Sequence, residues 1–332
     1  METRKLGQSD VEVSILAFGA WAIGGWMWGG ADANDAIKAI ETAIDNGMTT
    51  IDTASVYGFG LSEDLVGKAI RGKREKVQIL TKFGMVWGRK EGDFFFASKD
   101  NFGNDINIYR HASKKKVLQD CDDSLRRLRI DYIDLFQIHW PDPLTPVSET
   151  MEALDMLVGK GKIRAGGICN YSLELMYEAE KVLSVASNQV PYSMVKRDIE
   201  KDIVPHCMHK NIGILAYSPL QRGLLAGKIK SGHKFNDGDT RPDTPFYKEP
   251  NLSNIMQFLD DIRPLAEDHN ATLAQVVLNW TIHQPGITCT LAGARNPAQV
   301  LENIGAVRFR LTDEEIKRIN SLLSDLNIDR KI

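Results

Sequence analysis

Apolar runs of strand length alternate along the chain with segments whose apolar residues recur at helical spacing. Eight runs read as strands: SILAFGAW (14–21), TTIDTA (49–54), VQILTKF (77–83), IDLFQIHW (133–140), RAGGICNY (164–171), SNQVPYS (187–193), IGILAYSPL (212–220) and TCTLAGAR (288–295). Between the first two, Ile37, Ile40 and Ile44 follow i, i+3, i+7 spacing, and Gly47 is placed to end the helix. Val117, Cys121, Leu125 and Leu128 form a later stripe with Ser113 placed as its cap. Further helices are expected after Pro146, from Ser172, around Asn251, from Pro297 and from Thr312 to Leu326.

Strands that alternate with helices pair in parallel through crossover connections. The count of eight and the length of 332 residues favour an α/β architecture of (β/α)8 (TIM) barrel type over a doubly wound sheet. No linker or low-complexity segment divides the chain, so residues 1–332 read as a single domain. The opening METRKLGQSDVEVS holds a turn-like GQSD between two short extended pieces, a β-hairpin suited to plug the barrel floor.

Composition narrows the function classes. With 43% hydrophobic residues, 26% charged and a net charge of −3, there is no basic excess for nucleic acid or an anionic membrane. Cys121, Cys169, Cys207 and Cys289 form no metal-ligand spacing and suit reduced thiols in the cytoplasm. The uncharged stretch 13–31 approaches the length of a membrane span, yet its five glycines and three tryptophans make a poor spanning helix. Asp10 and Glu12 interrupt a signal peptide there, so this stretch reads as a buried strand opening into a glycine-rich loop.

In such barrels chemistry sits at the C-terminal strand ends. Those ends carry Trp21, Asp52, Lys82, His139, Asn170, Gln189, Tyr217 and Arg295. One such group alone is ordinarily a helix cap or a solvated strand end; eight at one face are not. GFGLSE (58–63) begins like a dinucleotide-binding turn, but Glu63 takes the place of the third glycine, where helix packing needs a small residue.

Seven blocks, in order, carry a family resemblance: GAWAIGG (19–25), IDTASVYGFGLSEDLVGKAI (51–70), TKFG (81–84), SLRRLRIDYIDLFQIHWPD (124–142), GKIRAGGICNYS (161–172), AYSPLQRGLLAGK (216–228) and AGARNPAQVLENIGAV (292–307). The chain resembles the aldo-keto reductases from Leu6 to about Leu326, nearest the bacterial and plant branch related to potassium-channel β-subunits. The resemblance implies an NADPH-dependent reductase of small aldehydes or ketones with a catalytic tetrad of Asp52, Tyr57, Lys82 and His139. The residue types suit that role. A free phenol, with a pKa of about 10, is a reluctant proton donor near neutrality. An adjacent ammonium favours the phenolate, Asp52 would orient that ammonium, and His139 would hold the substrate carbonyl.

By the same resemblance the NADP(H) site takes Trp21, Asp52, Cys169, Asn170 and Gln189, the last two on the nicotinamide carboxamide, with Tyr217 stacked on the ring. Ser218, Pro219, Leu220, Gln221 and Gly223, with Lys228 and Arg241, would cover the pyrophosphate. Gly293 and Arg295 follow, the latter suited to a 2′-phosphate, and Gln299, Glu302 and Asn303 would take adenine and ribose. The substrate pocket would be bounded by Trp21, Trp28, Trp87 and Trp140 beside Tyr57 and His139, and the long connection 88–111, rich in aromatics, is expected to add to its wall. Two departures stand out: Cys169 replaces a common serine, and Ala20 a common threonine. A cofactor-sensing module like the channel β-subunits is the alternative, but those carry asparagine where His139 stands. A metal-dependent hydrolase would need more strand-end ligands than Asp52 and His139. The sequence carries no prediction of oligomeric state.

Overall fold

Strands buried on both faces need helices outside them, and the alternation along the chain supplies these in turn. In the computed structural model, which describes residues 1–28, 30, 32–229, 232–235 and 239–329, a hairpin of β1 (Thr3–Lys5) and β2 (Glu12–Ser14) opens the chain. β3 (Leu16–Gly19), β4 (Thr50–Asp52) and β5 (Gln78–Phe83) begin the barrel. Outside it lie β6 (Met85–Val86), β7 (Asp93–Lys99) and β8 (Asp105–Arg110). The barrel continues with β9 (Ile133–Ile138), β10 (Ile163–Cys169), β11 (Ser187–Pro191), β12 (Gly213–Tyr217) and β13 (Ile287–Gly293), which closes in parallel on β3. All eight expected strands are present, all but β5 ending earlier than expected, while β10 and β13 each begin one residue sooner.

Register sets the site. Asp52 pairs with Gly19 on one side and Leu80 on the other, Lys82 with Gln137, and Cys169 with Gln189. Their C-terminal ends therefore share one rim. At the opposite end Leu6, Val11 and Val13 of the hairpin pack on Leu80, Leu135, Leu215 and Cys289 inside the barrel, so the hairpin does plug the floor. Gly7 makes that approach possible: its φ is +58°, and a Cβ there would lie 2.6 Å from the Ala186 carbonyl oxygen.

Three features differ from the sequence reading. Ser113 does stand at the N-terminus of the helix Lys114–Leu128, but its hydroxyl bonds His111 Nε2 at 2.8 Å, and Glu149 accepts from the Lys114 amide instead. The helix Leu273–Ile282 buries every residue except Gln275, so it has no polar face and no period by which to be recognised. Residues 88–111 are not an irregular loop: β8 pairs antiparallel with both β6 and β7. The hairpin tip is a turn in which Asp100 Oδ1 accepts from the amides of Phe102 (2.8 Å) and Asn104 (2.9 Å). Glu63, at the false glycine position, is fully buried and accepts from Thr81 Oγ1 (2.6 Å) and Arg127 Nε (2.5 Å). No helix among the described residues is long and apolar enough to cross a membrane. Of the uncharged stretch, Gly29 and Ala31 lie outside the described residues.

Candidate active site

The end of β4 and the end of β5 bring a carboxylate and an ammonium into the barrel mouth. Lys82 Nζ donates to Asp52 Oδ1 at 2.6 Å and to the Thr53 carbonyl at 2.8 Å, and both side chains are almost wholly buried (1% and 4% exposed). Asp52 has a second donor, Gln189 Nε2, at 2.8 Å to Oδ2. Tyr57 sits on the loop after β4, held by Tyr57 N to Ala54 O (3.2 Å), with Lys82 Nζ 5.0 Å from its ring centroid. His139, one residue past β9, packs edge-on against Tyr57 at 5.6 Å and bonds the Phe83 carbonyl through its backbone amide. On its other side Tyr57 stacks with Trp21 at 5.9 Å.

Electrostatics separates the roles of these groups. Burial pushes the Tyr57 phenol up to about 12; Lys82 pulls it down, Asp52 pushes it up, and burial prevails. The expected lowering by Lys82 is present but does not set the net direction. Burial disfavours the Lys82 ammonium, yet the Asp52 and Tyr57 charges outweigh it and raise its pKa. His139 is driven well below the usual histidine value by burial and then by the Lys82 charge, so it is a neutral imidazole.

Asp52, Tyr57 and His139 line a cleft of about 550 Å³, and Lys82 lies behind its wall, bonded to Asp52. Asn170, Gln189, Tyr217, Ser218, Pro219, Leu220 and Gly223 line one arm, with Lys228, Arg241, Gly293, Arg295, Gln299, Glu302 and Asn303 beyond them. Asn170 adopts a left-handed φ of +60°, and its carboxamide is fixed at both ends: Nδ2 donates to the His139 carbonyl (3.0 Å) and Oδ1 accepts from Tyr217 OH (2.9 Å). Positive φ at Ser218, Gln221, Arg222 and Gly223 curls the loop after β12 over this arm. Lys228 pairs with Glu302 (2.9 Å), Arg241 with Asp239 (2.6 Å), and Arg295 Nη1 bonds the Trp28 carbonyl at 3.4 Å.

Besides Lys82, which is screened by Asp52, three anticipated residues do not reach the cleft. Cys169 is buried behind Asn170, and burial pushes its thiol up. Gln221 turns to Ser193 Oγ (2.7 Å), and Trp87 packs on Phe59 at 5.8 Å. Trp28 and Trp140 do line it. Phe95 and Phe96 of β7 join them, with Phe95 against Trp140 (5.3 Å) and Phe96 stacked on Trp26 (6.1 Å). Consecutive strand residues ordinarily face opposite ways, and a register shift between Phe94 and Phe96 accompanies the exception. Arg222, passed over in the sequence, also lines the cleft; its only local sign was a cation inside SPLQRGLLAG.

A buried lysine–aspartate pair beneath a protonated tyrosine, with a neutral histidine beside it, at the C-terminal mouth of an eight-stranded barrel, defines an oxidoreductase acting on carbonyl and alcohol groups. The model of the Aldo/keto reductase family matches residues 15–324, and the chain belongs to that family. It is similar to the aldo-keto reductase YhdN of Bacillus subtilis, 36% identical over 98% of this chain and 94% of that protein. It is also similar to the NADH-specific methylglyoxal reductase of Escherichia coli, 34% identical over 95% and 96% of the two. Among solved structures, the glycerol dehydrogenase AKR11B4 of Gluconobacter oxydans is 37% identical, with a TM-score of 0.88 over 99% and 98% of the chains. An aldo/keto reductase of Klebsiella pneumoniae in complex with NADP and acetate is 28% identical, with a TM-score of 0.72 over 98% and 99%.

Proposed function

We propose that the protein reduces aldehydes or ketones to alcohols with NADP(H), and that Tyr57 gives the proton. The observation that carries this reading is the buried Asp52–Lys82 pair directly beneath Tyr57, with His139 at its edge. The bound cofactor supplies a hydride. Tyr57, with its pKa raised to about 12, holds its proton through the neutral range. Lys82 stays charged and favours the phenolate left behind, while Asp52 and the Thr53 carbonyl fix its position. The neutral His139 ring carries one N–H to direct at the substrate oxygen. Trp26, Trp28, Phe95, Phe96 and Trp140 keep water from the reacting centre.

The donor set suits a dinucleotide: two carboxamides (Asn170, Gln189) and an aromatic ring (Tyr217) near the tetrad, then Lys228, Arg241 and Arg295 along the same arm. The Klebsiella relative carries NADP. Choice of NADPH over NADH rests on Arg295, whose exposed forked guanidinium suits a 2′-phosphate; the E. coli relative is named NADH-specific, so this preference is a separate question from the chemistry. A cofactor-sensing role like that of channel β-subunits is less favoured, because a neutral histidine stands beside the phenol. Tyr57→Phe tests the reading. The variant is expected to keep NADPH binding and lose about 100-fold or more of 4-nitrobenzaldehyde reduction, the scale of general acid catalysis. Reduction near the parental rate would rule out Tyr57 as donor.

A further inference from the structure

Among the described residues, the cations at the cleft and its floor are accounted for with one exception. Lys82 has Asp52, Lys228 has Glu302, Arg241 has Asp239, and Arg295 is exposed to water. Arg222 is partly buried and meets only neutral acceptors: Nη1 donates to Thr240 Oγ1 (2.8 Å), Nη2 to the Met27 carbonyl (3.1 Å), and buried Nε has no partner. Its guanidinium lies over two indoles, 5.6 Å from the Trp21 ring and 5.2 Å from the Trp28 ring. Burial accordingly pulls its pKa below the ordinary arginine value. The nearby Asp239 carboxylate attracts it but is bonded to Arg241, so the guanidinium has no carboxylate in contact and donors free for an anion in the cleft.

Position indicates which anion. Although Arg222 belongs to the loop after β12, its contacts draw it to the loop after β3, next to the tetrad. The Trp21 ring neighbours both groups, 5.6 Å from the Arg222 guanidinium and 5.9 Å from the Tyr57 ring. A substrate with an aromatic ring between its carbonyl and its charge suits that setting, its ring beside the indole. The other cations of the cleft have no ring contact with Trp21 among the described residues: Lys228 pairs with Glu302, Arg241 with Asp239, and Arg295 Nη1 donates to the Trp28 carbonyl. We infer that Arg222 binds the carboxylate of an aromatic or otherwise apolar oxo-acid whose aldehyde or ketone group meets Tyr57 and His139. The inference rests on the carbonyl-reductase reading.

The test compares 4-formylbenzoate with its methyl ester, which differs in charge but little in shape, using NADPH and the intact protein. The ratio of their kcat/KM values is expected to favour the carboxylate and to fall about 10- to 100-fold in Arg222→Gln, mainly through KM for 4-formylbenzoate. Arg222→Lys should restore part of it. Added salt should lower the same ratio in the parental protein, a readout that needs no variant. Binding of 4-formylbenzoate followed by tryptophan fluorescence needs no turnover. Arg222-dependent binding without reduction would therefore sink the reductase reading and leave this one standing. The inference is overturned if the ratio is insensitive to both variants and to salt. It is also overturned if Arg222→Gln weakens NADPH binding while both aldehydes suffer equally, since Arg222 would then be reading the cofactor or merely strapping two loops.

Discussion

Asp52→Asn removes the charge of the buried pair while keeping the side-chain shape. One of its two oxygens becomes an amide donor facing either Lys82 Nζ, now at 2.6 Å, or Gln189 Nε2, now at 2.8 Å. Whichever way the amide turns, a donor meets a donor. Lys82 is left 1% exposed with neutral acceptors only, the Thr53 carbonyl and at best the amide oxygen. Breaking a buried pair in this way costs about 3–5 kcal/mol. Across 332 residues, an unfolding entropy of about 2.1 cal/mol/K per residue gives about 0.7 kcal/mol/K, so the melting temperature should fall about 4–7 °C. The pH dependence has a definite sign. Lys82 has a folded pKa raised above its ordinary 10.5, so its contribution is full below that value and is lost as pH rises through the raised one. The deficit of Asp52→Asn should therefore be constant from pH 7 to about pH 10 and shrink above it. Scanning calorimetry across that range, with 4-nitrobenzaldehyde turnover on the same samples, measures both. A melting temperature within about 1 °C of the parent at pH 7 would refute the reasoning.

Arg295→Ala should weaken NADPH about 10- to 150-fold, the loss of one charge-assisted contact, while NADH affinity changes little; equal losses by fluorescence titration would show that Arg295 does not read the 2′-phosphate. His139 is held neutral, so the unfolded chain takes up a proton below about pH 6.5 that the folded one refuses, and stability falls as pH drops. His139→Gln should remove about 1 kcal/mol of that loss between pH 6.5 and 5.5 in urea titrations; an unchanged acid slope would contradict a buried neutral ring. Replacing residues 93–110 by a few glycines deletes Phe95 and Phe96 from the cleft, and with them the Ser98 and Asn101 contacts to Trp26 and Gly24. KM across a panel of aldehydes should rise or change rank with NADPH affinity nearly intact, and unchanged kinetics in a folded variant would remove the hairpin from the substrate wall.

What was legible in the sequence was local. Apolar runs of strand length and stripes such as Ile37, Ile40 and Ile44 follow from one chain segment meeting one environment, and polar residues ending those runs marked the rim where Asp52, Lys82, His139 and Asn170 meet. The tertiary structure decided whatever depends on a distant partner. β7 and β8 exist as strands because they pair with each other and rest on Trp26, and the shift between Phe94 and Phe96 hides the alternation that would have announced them. Glu63 became a buried clamp only when Thr81 and Arg127 arrived from other elements. Arg222 entered the site because the loops after β3 and β12, far apart in sequence, close on one another. Even the direction of the Tyr57 pKa was settled by burial, which a residue acquires from the whole fold and which here outweighs the lysine beneath it.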